Sequence, residues 1–192
     1  MVANDGRGLI LAPILCACIL LVPAMIERLD MTVVDLVRQF AEDARTGVLV
    51  TDTDFSAAGP KILYANPAIG PLTGHSHTSL VGRSPKALQG KATSPFTRKA
   101  MGEALRAGRS FHTCLTNYRA DGEAYLCEID IRPLRNDAGA VEAFIAFERE
   151  VERRRVRARP GKNTRYRPVD PTTEEEAVNE FSDFRPFQSP LD

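Results

Sequence analysis

Asn117-Tyr118-Arg119-Ala120-Asp121-Gly122 and Asn136-Asp137-Ala138-Gly139 separate three segments of alternating polarity, near 109–119, 123–133 and 140–150. Asn, Asp and Gly tolerate the left-handed backbone of tight hairpins, so the three segments read as consecutive antiparallel strands. Upstream, 47–51 is a short apolar strand, 52–60 holds a turn cluster, and 61–65 is a second strand. Short helices and loops fill 70–90, and a helix over 97–106 stops at Gly108. Two strands, then helices, then three strands is an α+β order. The expected architecture is a five-stranded antiparallel sheet with short helices on one face.

Side chains on a strand alternate between faces. On 123–133, Tyr125, Cys127, Ile129 and Ile131 share a face that should look inward, opposed by Leu126, Glu128, Asp130 and Arg132. On 109–119, Phe111, Leu115 and Asn117 share a face, which puts His112 and Cys114 on the other. On 140–150, Phe144, Ala146 and Glu148 face one way, Ile145 and Phe147 the other. Both faces are apolar there, so the outer face of the sheet also needs a cover. An inward Glu148 must be paired, protonated or near water. It reads either as part of a polar ligand or water pocket, or as a solvated position near a strand end.

The chain has 192 residues, 43% apolar and 26% charged, with 25 basic and 25 acidic side chains. That composition is globular, and zero net charge argues against a wholly basic nucleic-acid binder. Cys16, Cys18, Cys114 and Cys127 are too few for a disulfide scaffold and lack zinc-ligand spacing. No nucleophile–base pair, phosphate-cradling glycine loop or metal cluster stands out, so no enzyme activity is expected.

The flanks differ from the core. Residues 1–30 contain an unbroken apolar run over 9–26, just long enough to cross a bilayer. It reads as a membrane anchor, as a cleaved leader, or as sequence ahead of a true start at Met31. Over 31–45, Val33, Leu36, Val37, Phe40 and Ala44 recur at helical spacing, predicting an amphipathic helix. Residues 152–168 carry eight basic side chains and one acid, and 169–192 carry seven acids and one arginine. With five prolines in the last 33 residues, 152–192 reads as a solvated, disordered charged tail.

Residues 46–151 resemble the PAS sensory domain. Tyr64-Ala65-Asn66-Pro67-Ala68 followed by Leu72-Thr73-Gly74-His75-Ser76 is similar to its signature, as is the turn from Arg132 to Gly139. Within PAS, Gly82-Arg83-Ser84-Pro85-Lys86-Ala87-Leu88-Gln89-Gly90 and Asn117 to Gly122 are similar to the LOV subfamily of blue-light flavin receptors. The resemblance implies the PAS fold and a flavin site at Lys86, Gln89, Asn117, Cys127 and Glu148. Pro85 stands where LOV domains have the reactive cysteine, and a proline has no sulfur to add to a flavin. Ser84 replaces an asparagine, Lys86 and Gly102 replace the two phosphate-binding arginines, and Cys127 and Glu148 replace two amides. A charge-assisted hydrogen bond is worth about 1.5–3 kcal/mol. A combined loss of roughly 4–8 kcal/mol, or roughly 10³–10⁶ in affinity, follows. FMN is therefore expected to bind weakly or not at all.

The expected function is a stand-alone PAS sensory or interaction domain in signal transduction, with a degenerate flavin site. Two alternatives remain: a thiol-less LOV-type FMN photoreceptor, and a binder of anionic membrane or nucleic acid through the basic run 153–167. The expected partners are a second copy, through helix 32–45 and the outer sheet face, and a further signalling protein. The expected location is the cytoplasm, with anchoring to the inner face of the membrane through 9–26 as the variant.

Overall fold

In the computed structural model, residues 32–154, 165–179, 181, 183–189 and 191 are described. The apolar run 9–26 lies outside them, as does most of the basic run. Among the described residues no helix is long and apolar enough to cross a membrane.

The sheet order is β2-β1-β5-β4-β3, antiparallel throughout. β1 is Gly47–Thr51, β2 Ile62–Ala65, β3 Phe111–Tyr118, β4 Ala124–Arg135 and β5 Val141–Arg153. These match the five expected strands. A sixth, β6 (Tyr166–Pro168), pairs with the end of β5. β1 is buried along its whole length, as a central strand covered on both faces should be. The turn between β3 and β4 places Gly122 at φ 90°, and the next turn places Gly139 at φ 80°.

Helix α1 (Val33–Ala41) precedes the sheet. Between β2 and β3 come α2 (Ile69–Thr73), α3 (His77–Leu80), a 3₁₀ turn (Pro85–Leu88) and α4 (Pro95–Arg106). Ser94 caps α4 by accepting from the Thr97 N–H, with Pro95 at the first helical position. Asn66, from the Tyr-Ala-Asn-Pro run, is fully buried and fastens α1 to β1. Its Oδ1 accepts from Val48 N–H at 2.8 Å, and its Nδ2 donates to the carbonyls of Ala41 and Thr46 at 2.9 Å.

Two apolar clusters flank the sheet. The inner one joins Leu49, Ile69, Leu88, Ile129, Ile131 and Phe144. The outer one joins Val37, Ala41, Val48, Ile145, Phe147 and Phe181.

The outer face corrects two expectations. The C-terminal part of the tail is not solvated: β6, helix α5 (Thr172–Asn179) and the segment from Phe181 to Phe187 lie on the sheet. Phe181 is 1% exposed, with its ring 5.1 Å from that of Phe147 and 6.1 Å from that of Phe40. Glu176 of α5 accepts from the backbone N–H groups of Arg45 and Thr46 at 2.8 and 2.7 Å. A proline-rich acidic stretch folds here because three phenylalanines find an apolar floor to bury on. Consequently the sheet face offered above as a dimer surface is already covered. Ile145 and Phe147 are fully buried beneath α1 and the C-terminal segment of the same chain. The described helix is also shorter than 31–45, because Asn66 takes the Ala41 and Ala44 carbonyls where it ends.

Candidate functional site

A cavity of about 410 Å³ lies between the inner face of the sheet and the 3₁₀ turn and α4. Leu49, Leu88, Ile129, Ile131 and Phe144 make its walls apolar, and Glu148, Asn117 and Gln89 add polar groups. An apolar cleft with a few convergent polar groups is the usual form of a small-molecule site.

Strand parity delivers those groups. Asn117 on β3 is 2% exposed, and its Oδ1 has no hydrogen-bond partner among the described residues. Gln89, just past the 3₁₀ turn, pairs through its backbone with Asn117. Glu148 on β5 is 4% exposed, mid-strand and not near a strand end. Its Oε2 accepts from the Cys127 thiol at 3.7 Å, and burial pushes its carboxyl up to about 7. Cys127 is fully buried behind Glu148, and burial holds its thiol protonated, well above the ordinary value. Cys114 lies on the other face, its thiol pushed up to about 12 by burial. Neither sulfur is a thiolate nucleophile at neutral pH.

Ser84 and Pro85 have a local role. Ser84 caps the 3₁₀ turn through Lys86 N–H at 3.4 Å, and Pro85 opens it with its fixed φ. Pro85 lines the cavity. The Lys86 ammonium donates to the Ala57 carbonyl at 3.2 Å. A side chain at Gly59 would come within 2.9 Å of the Lys86 Nζ, and Gly59 also holds φ 80°. Glycine is needed there for lysine to fold across the mouth.

Two arginines at the mouth were not picked out from the sequence. Arg98 and Arg106 stand one turn to either side of Gly102 on α4, and all three line the cavity. Arg106 reaches back so far that a Cβ on Gly102 would sit 3.2 Å from its Nη1. It also lies over the Phe55 ring at 5.9 Å. Spacings of four residues on a helix share a face, so the i±4 positions around Gly102 were the readable signal. His75 and His77 are only partly buried, and no group of metal-ligating side chains occurs among the described residues.

The PAS domain family matches residues 45–153, more than half the chain. The chain belongs to the PAS family. It is 33% identical over 110 residues to the nitrogen fixation regulatory protein of Klebsiella oxytoca, covering 57% of this chain and 21% of that one. It is 34% identical over 119 residues to phototropin-2 of Oryza sativa subsp. japonica, covering 61% of this chain and 13% of that one. In fold it is similar to the LOV domain of the Erythrobacter litoralis EL346 blue-light activated histidine kinase, with TM-score 0.50 and 27% identity. That likeness covers 55% of this chain and 94% of that one. The PAS chain thus spans less than a quarter of the length of both curated relatives. It is a LOV-like PAS sensory domain, related to proteins of signal transduction.

Proposed function

We propose that this PAS domain senses by holding a small planar ligand of the flavin class in its cavity, without a covalent bond. The observation that carries the reading is the cavity's polarity. Its apolar walls suit an aromatic ring system, and its buried polar atoms include an unpartnered Asn117 Oδ1. Its mouth carries the cations of Lys86, Arg98 and Arg106 beside the mutually paired Lys99 and Glu103. A ring with hydrogen-bonding edges and an anionic tail meets each of these groups. FMN fits that description: Asn117, Gln89 and Glu148 would hold the ring, and the three cations its phosphate. When bound, the flavin supplies visible absorption and one-electron chemistry.

Arg98 and Arg106 offset part of the affinity lost with the two replaced arginines, since a charge-assisted hydrogen bond is worth about 1.5–3 kcal/mol. Binding in the micromolar range is the expectation, at the tight end of the loss derived above. With Pro85 in place of a thiol and Cys127 behind Glu148, illumination should give no cysteinyl adduct. Partner contact would be made through the outer surface of α1, where Leu36 is exposed, and of the C-terminal segment, not through bare sheet.

The test is an optical titration of purified protein with FMN. Saturable binding with sharpened vibronic bands, and no light-induced near-ultraviolet product band, supports the reading. Absence of binding at millimolar FMN overturns it.

A further inference from the structure

The cavity's inner wall holds a carboxylate, Glu148, that pairs with no cation among the described residues. Glu148 sits opposite Gly47 of β1 and Ile129 of β4, neither of which brings charge. The titratable and charged groups on the surrounding elements are Tyr125 and Cys127 of β4, and Arg149 and Glu150 of its own strand. Lys86, Arg98, Arg106 and the paired Lys99 and Glu103 stand at the mouth of the cavity. Arg45 and Asp170 border a shallower cleft that Glu148 also touches. Arg149 is committed to Glu128 on the opposite face, and Glu150 is committed to Arg119. Among the described residues, the Cys127 thiol is the hydrogen-bond donor that Glu148 has.

An ionised carboxylate only accepts hydrogen bonds, whereas a carboxylic acid also donates one. The difference decides what can lie against it. A flavin, or any oxo-heteroaromatic, presents carbonyl oxygens on its hydrogen-bonding edge. Against ionised Glu148 those oxygens meet acceptor on acceptor in a cleft from which the ligand has expelled water. Against the acid they receive an O–H. The same expulsion of water raises the cost of keeping the charge.

We propose that Glu148 makes ligand entry a proton-uptake step: the carbonyl-bearing edge is accepted when Glu148 has taken a proton from solvent and donates it in a hydrogen bond. The PAS domain thereby reports ligand and pH jointly, through one side chain. This rests on the cavity reading above. Burial already places the Glu148 transition near neutrality before any ligand displaces water.

The experiment is the dissociation constant for FMN, by quenching of flavin fluorescence, between about pH 6 and about pH 9. Riboflavin, which lacks a titrating phosphate, is run in parallel. For the natural chain the constant should rise close to tenfold per pH unit above about 7, and for Glu148→Gln it should be flat. Calorimetry of the natural chain in two buffers of different ionisation enthalpy should show uptake of about one proton per flavin at about pH 8.5. This second measurement stands even if the variant misfolds. FMN bound with no pH dependence and no proton uptake, or with the same slope in Glu148→Gln, overturns the inference and leaves the cavity reading intact. Failure of both proteins to bind FMN and riboflavin at every pH overturns both.

Discussion

Glu128 and Glu148 stand on neighbouring strands, on opposite faces of one sheet, and each is 4% exposed. They titrate in opposite directions. Burial pushes Glu128 up, but hydrogen bonding from His112 and the charge of Arg149 outweigh it, and the net shift is downward. Glu148 has burial against it and only a thiol in its favour, and its net shift is upward. Equal surface exposure therefore says little about a carboxylate: Glu148 lies deeper than Glu128, and its partners are weaker. The partners differ because the faces differ. The outer face is closed by its own chain, and both oxygens of its buried carboxylates Glu128 and Asp130 are matched. Glu128 meets His112 at 3.0 Å and Arg149 at 2.8 Å, while Asp130 meets Arg132 at 2.7 Å and the Phe187 N–H at 2.8 Å. The inner face keeps a cavity, with an unpartnered Asn117 Oδ1 and a carboxylate held by sulfur. A face whose buried carboxylates are paired is built for stability, even with Arg149 Nη1 left without a partner among the described residues. A face whose carboxylate and amide oxygen lack such pairing leaves work for a ligand.

The closed face can be broken most severely at Phe181. The ring is fully buried against Phe147 and Phe40. Removing such a side chain costs about 3–5 kcal/mol. Phe181→Ala should lower the urea midpoint accordingly and expose Ile145 and Phe147 to association. An unfolding free energy within about 0.5 kcal/mol of the natural chain would mean that the C-terminal segment is not seated on the sheet.

The open face responds in the other direction. A raised carboxyl value means that the folded state binds the proton more tightly than the unfolded one. Glu148 therefore favours folding at low pH, and that contribution is lost as pH rises from the ordinary glutamate value, 4.5, through about 7. The loss amounts to about 3 kcal/mol. Glu148→Gln, which keeps the shape and cannot ionise, should be more stable than the natural chain by up to about 3 kcal/mol at pH 8. The gain should vanish near pH 4, below both values. Denaturation at the two pH values separates this from a gain in packing, which would persist at both.

How far these faces could be read from the chain follows from where the information lies. Strand parity put Asn117, Cys127 and Glu148 inside and His112 and Cys114 outside, because a period of two needs only local sequence. The cover over the outer face was not legible. Phe181, Phe184 and Phe187 recur every third residue, but they sit among Ser, Asp, Pro and Arg in a stretch whose average composition is that of a solvated tail. What orders them is a floor supplied by residues more than thirty positions away. The arginines of the cavity mouth, Arg98 and Arg106, were missed for a related reason. Motif comparison pointed to Gly102 alone, while charge on a helix face is shared between neighbouring turns. Pro85 was legible as the loss of a thiol. Its positive role, starting a turn capped by Ser84, needed the hydrogen bond to be seen.

The smallest expected effect sharpens the comparison at His112. Its Nε2 faces Glu128 Oε1 at 3.0 Å and its Nδ1 faces the Ser189 carbonyl oxygen at 2.7 Å. Neither oxygen can donate, so both nitrogens must, and the ring carries a positive charge. Burial opposes that charge, but the hydrogen bond to Glu128, with Asp130 and the Ser189 carbonyl, outweighs it and raises the histidine above its ordinary value of 6.5. The sign follows: the stabilisation is complete below 6.5 and is lost as pH rises through the raised value. His112→Gln keeps one donor and removes the charge. It should cost about 1.5 kcal/mol at pH 6, a charge-assisted hydrogen bond at the low end of its range, and less at pH 9. Glu148 loses its stabilising proton over the window below about 7, and His112 loses its own above that ordinary value of 6.5. A chain carrying both Glu148→Gln and His112→Gln should therefore show a flatter stability profile between about pH 5 and about pH 9 than either single variant. A double variant as pH-dependent as the natural chain would mean that other groups govern the profile, and that the two faces do not differ as described.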